Sequence, residues 1–257
     1  MLAFWTHSMI KNPQLSKSLT EDLIMANRIL VKQGVLDVFG HISVRDPEHS
    51  AIFWLPTSVA PSRVSPVHLH PFNLEAEPVI NTEAELFSER FIHSEIYRRV
   101  PDVNAICHHH SHSIMPFCIT GAKLFAVSQT GAFLAEEVPH WDSQDEHGDT
   151  MLLIDDQKKA QSLAGVMDGT SAVLLRGHGM VQTGNRLQDL VHRCVFACRE
   201  AETILSSLSL CSAKPLFPGE IEAIGAPSPI ATSRSWSHWT KQVNAKSQEQ
   251  TELGRDL

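Results

Sequence analysis

Four histidines occupy five positions in Ala105-Ile-Cys-His-His-His-Ser-His112. If the stretch is a strand, side chains alternate between faces, so His108, His110 and His112 point one way and His109 the other. Two imidazoles at i and i+2 on one strand face both reach a single divalent ion, and neutral imidazole suits Zn, Fe, Mn or Ni. A third ligand must come from elsewhere. The candidate is Arg176-Gly-His-Gly179, where His178 follows the apolar run Ala172-Val-Leu-Leu175. Glu89 adds a carboxylate on the preceding helix, among otherwise apolar or aromatic neighbours. Its plainer alternative is a surface pair with Arg90 or Arg99. Structural zinc is normally closed by four side chains, whereas three imidazoles and at most one carboxylate leave coordination positions free. That predicts Lewis-acid work, with the carboxylate as a further ligand or a proton-transfer group.

The elements that must position these residues are legible in turn. Ser18-Leu-Thr-Glu21 fits a capping box for a helix bearing Leu23, Ala26, Ile29 and Leu30, with Gly34 closing it. A turn from Val35 leads into a strand ending at Arg45, and Ile52-Phe-Trp-Leu55 reads as its hairpin partner. One more strand is expected around Phe72-Asn-Leu74. A second helix starts between Thr82 and Ser88 and is stopped by Pro101. It places Glu89, His93, Ile96, Tyr97 and Val100 on one side. After the histidine strand come a short helix over residues 113–120, a strand over 124–127, a turn at 129–133 and an exposed acidic loop over 136–149. A helix over about 156–167 leads to the strand that ends at Arg176. Asn185 then caps the longest helix, whose apolar stripe includes Cys194 and Cys198. Those two thiols are open to metal ligation by spacing, but small buried thiols on a core stripe are the commoner case.

The bulk numbers bound the partners. At 257 residues with 42% hydrophobic content the chain builds one sizeable core. A net charge of −8 and the lack of a basic run argue against nucleic acid. Five cysteines in no secreted framework suggest a reducing compartment. No signal peptide and no membrane span are expected, so the reading is a soluble cytoplasmic protein. Residues 1–17 read as an N-terminal arm, 18–215 as the main domain, and 216–257 as a partly disordered C-terminal extension, charged and apolar-poor from Lys241.

Over residues 18–215 the chain resembles the class II aldolase/adducin superfamily. Gly40-His-Ile-Ser-Val-Arg45, Ser88-Glu-Arg-Phe-Ile-His93 with Pro101-Asp-Val-Asn-Ala-Ile-Cys-His-His-His110, and Gly177-His-Gly179 carry the likeness. The resemblance implies a three-layer α/β/α fold with a mainly antiparallel sheet, in a homo-oligomer, a tetramer with active sites at its interfaces. It also implies metal ligands at His108, His110 and His178, with Glu89 as the metal-proximal acid/base. The departures bear on substrate. Family aldolases of sugar phosphates have asparagine where this chain has His41, and small hydroxyl residues where it has Phe87. Thr57, Ser58 and Ser88 remain of the phosphate cradle. The family's catalytic tyrosine has no counterpart near residues 127–131, and the chain's one tyrosine is Tyr97. A decarboxylase-like branch is the better match, through Phe39-Gly-His41, the string from Glu89 to Tyr97, Gly131-Ala-Phe-Leu134 and Arg176-Gly-His-Gly179; it is similar to the 2-hydroxy-3-carboxymuconic semialdehyde decarboxylases. In that branch Arg176 would fork onto a substrate carboxylate, or else pair with an acidic loop residue. His41 would be a proton donor, a substrate hydrogen-bond partner or a merely satisfied buried histidine.

The expectation is therefore a metal-dependent carbon–carbon lyase, a decarboxylase or aldolase. It acts on a small, unphosphorylated, carboxylated carbonyl or hydroxy compound through a metal-stabilised enolate. Glu89 and His41 are the candidate catalytic residues, and Arg176, Ser58 and Ser88 the candidate substrate contacts. The cofactor is one divalent metal, zinc first, with manganese, iron or magnesium as alternatives. The rival readings are a non-haem iron oxygenase on the same ligands and a non-catalytic assembly module.

Overall fold

The computed structural model describes residues 13–253, with side chains to residue 245. The first twelve residues, most of the expected N-terminal arm, and the last four lie outside the described residues. In chain order the elements are α1 (Lys17–Lys32), β1 (His41–Arg45), β2 (Ile52–Pro56), β3 (Leu69–Asn73), α2 (Arg90–Arg99), β4 (Ala105–His109), α3 (Met115–Thr120), β5 (His140–Trp141), α4 (Ser143–His147), α5 (Gln157–Val166), β6 (Ala172–Leu175), β7 (Gly179–Gly184), α6 (Leu187–Ser207), α7 (Pro218–Ile224) and α8 (Pro229–Leu253). Short 3-10 turns lie at Pro61–Arg63, Pro66–His68 and Gln129–Leu134.

One sheet runs β3-β2-β1-β4-β7-β6-β5. Every neighbouring pair is antiparallel except β5 and β6. Strand side chains alternate, so each strand contributes to two layers. Ile42, Val44, Ala105, Cys107, Leu174 and Met180 pack on α1, α6 and α8. Phe53, Leu55, Ile106, Val173, Leu175 and Val181 pack on α2 and α5. The three-layer α/β/α arrangement is thus present, with a sheet that is antiparallel but for one edge pair. Register then does the positioning: His41 sits opposite His108 across β1 and β4, and β7 runs beside β4 with Met180 opposite His109.

Several local expectations are corrected. The cap of α1 is Ser16, whose hydroxyl accepts from the Leu19 N–H at 3.3 Å, two residues before the expected box. Residues 124–127 form no strand. Their hydrogen bonds close a local loop instead, Ala126 N to Ala135 O at 3.1 Å and Val138 N to Leu124 O at 2.8 Å. The acidic stretch contains β5 and α4 rather than loop alone, because buried Trp141 anchors it to the sheet edge beside Leu175. Arg186, not Asn185, precedes α6. Within the expected C-terminal extension, α8 runs from Pro229 to Leu253. Trp239 and Val243 on α8 are buried in the α1/α6 layer, with Trp236 packed beside them. That i, i+3, i+7 stripe was present in the sequence but thin.

Candidate metal centre

Three ring nitrogens converge where β4 ends and β7 begins. His108 Nε2 lies 2.9 Å from His110 Nε2 and 3.2 Å from His178 Nε2. Glu89 completes the group, Oε2 at 3.5 Å from His108 Nε2 and Oε1 at 3.4 Å from His178 Nε2. All four ligand atoms lie within 4.8 Å of one another. Bonds of about 2.0–2.1 Å to one ion put neighbouring nitrogens roughly 2.9 Å apart at a right angle and roughly 3.4 Å apart at a tetrahedral angle. The observed spacings fall in that interval. A proton can bridge only one pair of facing imidazole nitrogens, whereas a cation satisfies all three. The donor set therefore fits a divalent metal.

The far sides of two rings are held in ways that leave Nε2 free to ligate. His108 Nδ1 donates to the Met180 carbonyl at 3.2 Å, fixing its tautomer. His110 Nδ1 faces Asp37 Oδ2 at 3.4 Å. Asp37 is in turn oriented by the Phe39 and Gly40 amides, which donate to its other oxygen at 2.8 and 3.0 Å. His178 sits in the β6–β7 turn, which Gly177 makes with φ +63°. Gly179 lets this turn press against β4: a Cβ there would stand 2.4 Å from the His109 carbonyl oxygen and 2.8 Å from His110 Cδ2. His108 is fully buried, while the His110 side chain keeps 17% exposure, so solvent reaches the cluster on that side.

Glu89 is the residue before the first turn of α2 and is not within it, so the helix begins after the expected start. Its carboxyl is almost buried, yet it pairs with neither Arg90 nor Arg99. Burial alone would raise its pKa; His178 first, then His41 and the Ile154 amide, hold it below the ordinary carboxylate range. Ile154 N donates to Oε1 at 3.1 Å, which leaves Oε2 the less committed oxygen. The loop before α5 thus fixes the acid through its backbone.

The remaining predicted residues divide. His41 is buried beside the cluster, its ring centroid 5.3 Å from that of His108 and 4.5 Å from that of Phe87. Burial lowers its pKa to about 4, so it is neutral. Arg176 follows the second of its two expected paths: Nε lies 2.5 Å from Asp142 Oδ2, an acidic residue of the 136–149 stretch, which neutralises it at the surface. Ser58 and Ser88 are exposed. Ser58 donates its backbone N–H to the Glu85 carbonyl at 2.8 Å, which ties it to the segment leading into Glu89. His112, on the ligand face if the strand had continued, falls in an exposed turn, since β4 ends at His109. Cys194 and Cys198 are buried on α6 away from the cluster, as core thiols. Asp37 was not anticipated; the one signal for it was its place two residues before Phe39-Gly40 in a turn.

Comparison with known proteins gives a consistent result. The family described as Class II Aldolase and Adducin N-terminal domain matches residues 21–205. Decarboxylase tropJ of Talaromyces stipitatus is 32% identical over 241 residues, spanning 84% of this chain and 90% of its own length. The 3,4-dihydroxyphthalate decarboxylase of Arthrobacter keyseri is 24% identical over 245 residues, 88% of this chain and 94% of its own. Among solved structures, the L-fuculose 1-phosphate aldolase from Glaciozyma antarctica superposes with a TM-score of 0.73 at 21% identity, over 94% of this chain and 96% of its own.

Proposed function

From its membership of the class II aldolase and adducin family, to which this chain belongs, we propose that it is a metal-dependent carbon–carbon lyase and, within that class, a decarboxylase. The substrate is a small unphosphorylated compound whose carboxylate-bearing carbon neighbours a carbonyl or hydroxyl carbon. One observation carries the reading: His110 Nε2 and His178 Nε2 lie within 3.2 Å of His108 Nε2, and the buried Glu89 carboxylate stands within 3.5 Å of His108 and His178, with solvent reaching the cluster on the His110 side. Two relatives named as decarboxylases, each matched over most of both chains, favour loss of CO2 over aldol cleavage.

His108, His110 and His178 would hold the ion, and zinc suits three imidazoles with an open position. A divalent ion there supplies Lewis-acid polarisation of the substrate oxygen. Glu89 Oε2 takes a proton from the substrate hydroxyl or its hydrate and returns one to the carbon that loses CO2; Oε1 stays tied to Ile154. His41, neutral in its buried position, donates a hydrogen bond to substrate oxygen. Ser88, next to Glu89, and Ser58, tied through its backbone to Glu85, are exposed and are proposed as substrate contacts. Phe39, 69% exposed just ahead of His41, suits a site completed by a second copy in a homotetramer.

The test is elemental analysis of protein purified without a histidine tag, followed by a screen of 2-oxo and aromatic hydroxy acids with CO2 and O2 recorded together. Metal-dependent CO2 release without O2 uptake is expected. Uptake of O2 with substrate would replace the lyase by an oxygenase. Turnover that survives full demetallation would remove the proposal.

A further inference from the structure

Four polar side chains lie in a buried row behind the metal centre. His41 Nδ1 is 2.7 Å from His93 Nε2, His93 Nδ1 is 2.6 Å from Ser43 Oγ, and Ser43 Oγ is 2.8 Å from Tyr97 Oη. None of the four is more than 1% exposed. β1 supplies His41 and Ser43, two apart on one face; α2 supplies His93 and Tyr97, four apart on one side. Burying this many polar groups is costly unless the network is complete, and an apolar filling of the same volume would be the cheaper structural solution.

The row has a direction. A neutral imidazole has one N–H and one lone pair. His93 is engaged at both nitrogens, and burial keeps it neutral, so it donates on one side and accepts on the other. The end of the row then decides the sense. Among the described residues, Ser43 is the hydrogen-bond partner of the Tyr97 hydroxyl. One proton is left over in either sense: on Tyr97 it would lie in the core beside Phe53 and under the Arg45 guanidinium, whereas on His41 it lies beside the metal centre, where the Glu89 carboxylate attracts it and a bound molecule can accept it. Tyr97 therefore donates to Ser43, Ser43 to His93 Nδ1, and His93 Nε2–H to His41 Nδ1. The His41 proton must then sit on Nε2. That nitrogen is buried and has no hydrogen-bond partner among the described residues. Glu89, His93, His108, His110 and His178 are titratable groups that act on this ring.

We propose that Tyr97, Ser43 and His93 are positioning residues that lock His41 in the Nε2–H tautomer, presenting a fixed hydrogen-bond donor to an oxygen of the molecule bound at the metal centre. The proposal rests on the lyase reading for what that molecule is, but not for the tautomer itself. The row transmits orientation and not protons. Relaying a proton along it would leave a tyrosinate in the core, where burial holds the Tyr97 phenol well above its ordinary range.

The test uses metal-loaded protein with 15N-labelled histidine rings, examined by solid-state NMR, in the wild type and in Tyr97→Phe, Ser43→Ala and His41→Asn. His41→Asn identifies the His41 signals by their loss. In the wild type, His41 is expected with Nδ1 bare and Nε2 protonated. Tyr97→Phe keeps the ring and its packing but removes the terminal donor, so the His41 signals should divide between two tautomers. Ser43→Ala should do the same by cutting the row in the middle, and stands in if Tyr97→Phe does not fold. On a substrate found in the screen, Tyr97→Phe should lower kcat about two- to tenfold, the worth of one hydrogen bond, with KM little changed. A wild-type His41 protonated on Nδ1, or a tautomer unmoved by both substitutions, overturns the inference. Failure of the lyase reading would leave the NMR result standing, so the two are separable.

Discussion

Asp37 stands behind His110, its Oδ2 3.4 Å from Nδ1 of the ring whose Nε2 faces the other two imidazoles. Burial pulls the Asp37 pKa upward, but the Phe39 and Gly40 amides and His110 hold the carboxyl below its ordinary value. A carboxylate in that place raises the basicity of the imidazole and fixes its angle. Asp37→Asn should therefore weaken metal affinity about 10- to 100-fold while the fold persists. Competition with a chromophoric chelator reads this directly. His110→Ala, by contrast, should lose metal and turnover together.

Glu89 separates ligation from proton transfer. Glu89→Gln keeps the shape, and its amide oxygen can still accept from the Ile154 N–H. Bound metal should stay near the wild-type amount while kcat falls roughly 10²- to 10⁴-fold. If metal content drops in step with rate, Glu89 is a ligand first and the proton has another carrier.

Gly179 tests how closely β4 and β7 must approach. Alanine there puts a methyl 2.4 Å from a backbone oxygen of β4, which cannot swing aside. Gly179→Ala should cost about 1–3 kcal/mol in urea unfolding and lower metal affinity, since His178 is displaced from His110. Gly165 in α5, where a Cβ would meet nothing within 4 Å, is the control. Gly165→Ala should stabilise by roughly 0.5–1 kcal/mol and leave the metal site alone.

His192 on α6 predicts acid sensitivity away from the metal. Its ring is buried, with Nδ1 3.0 Å from Ser235 Oγ of α8, and burial lowers its pKa from 6.5 to about 4. Below about 6.5 the unfolded chain binds a proton that the folded chain refuses until about 4, so stability falls as pH drops through that window. The effect of this one group is up to roughly 3 kcal/mol. In chelator-treated protein, His192→Phe should flatten the loss between pH 6.5 and 4 relative to wild type. Equal slopes in the two proteins would count against it.

The alternation of His108 and His109, the i, i+2 reach of His110 and the apolar run before His178 are properties of short stretches, set by the two-residue period of a strand. They, with the amphipathic stripes of α1, α2 and α6, were legible in the residues themselves. What the sequence could not decide was anything that needs two distant backbones in register. The pairing of His41 with His108, the seat of Asp37 behind His110, the Ile154 amide under Glu89 and the row from His41 to Tyr97 all depend on strand order and on where α2 lies over the sheet. So does the commitment of Arg176 to Asp142, since two residues 34 positions apart meet only once β5 has paired with β6. Residue type and local period specify which groups are available. The sheet's long-range hydrogen bonds and the packing of its two layers choose which of those groups meet.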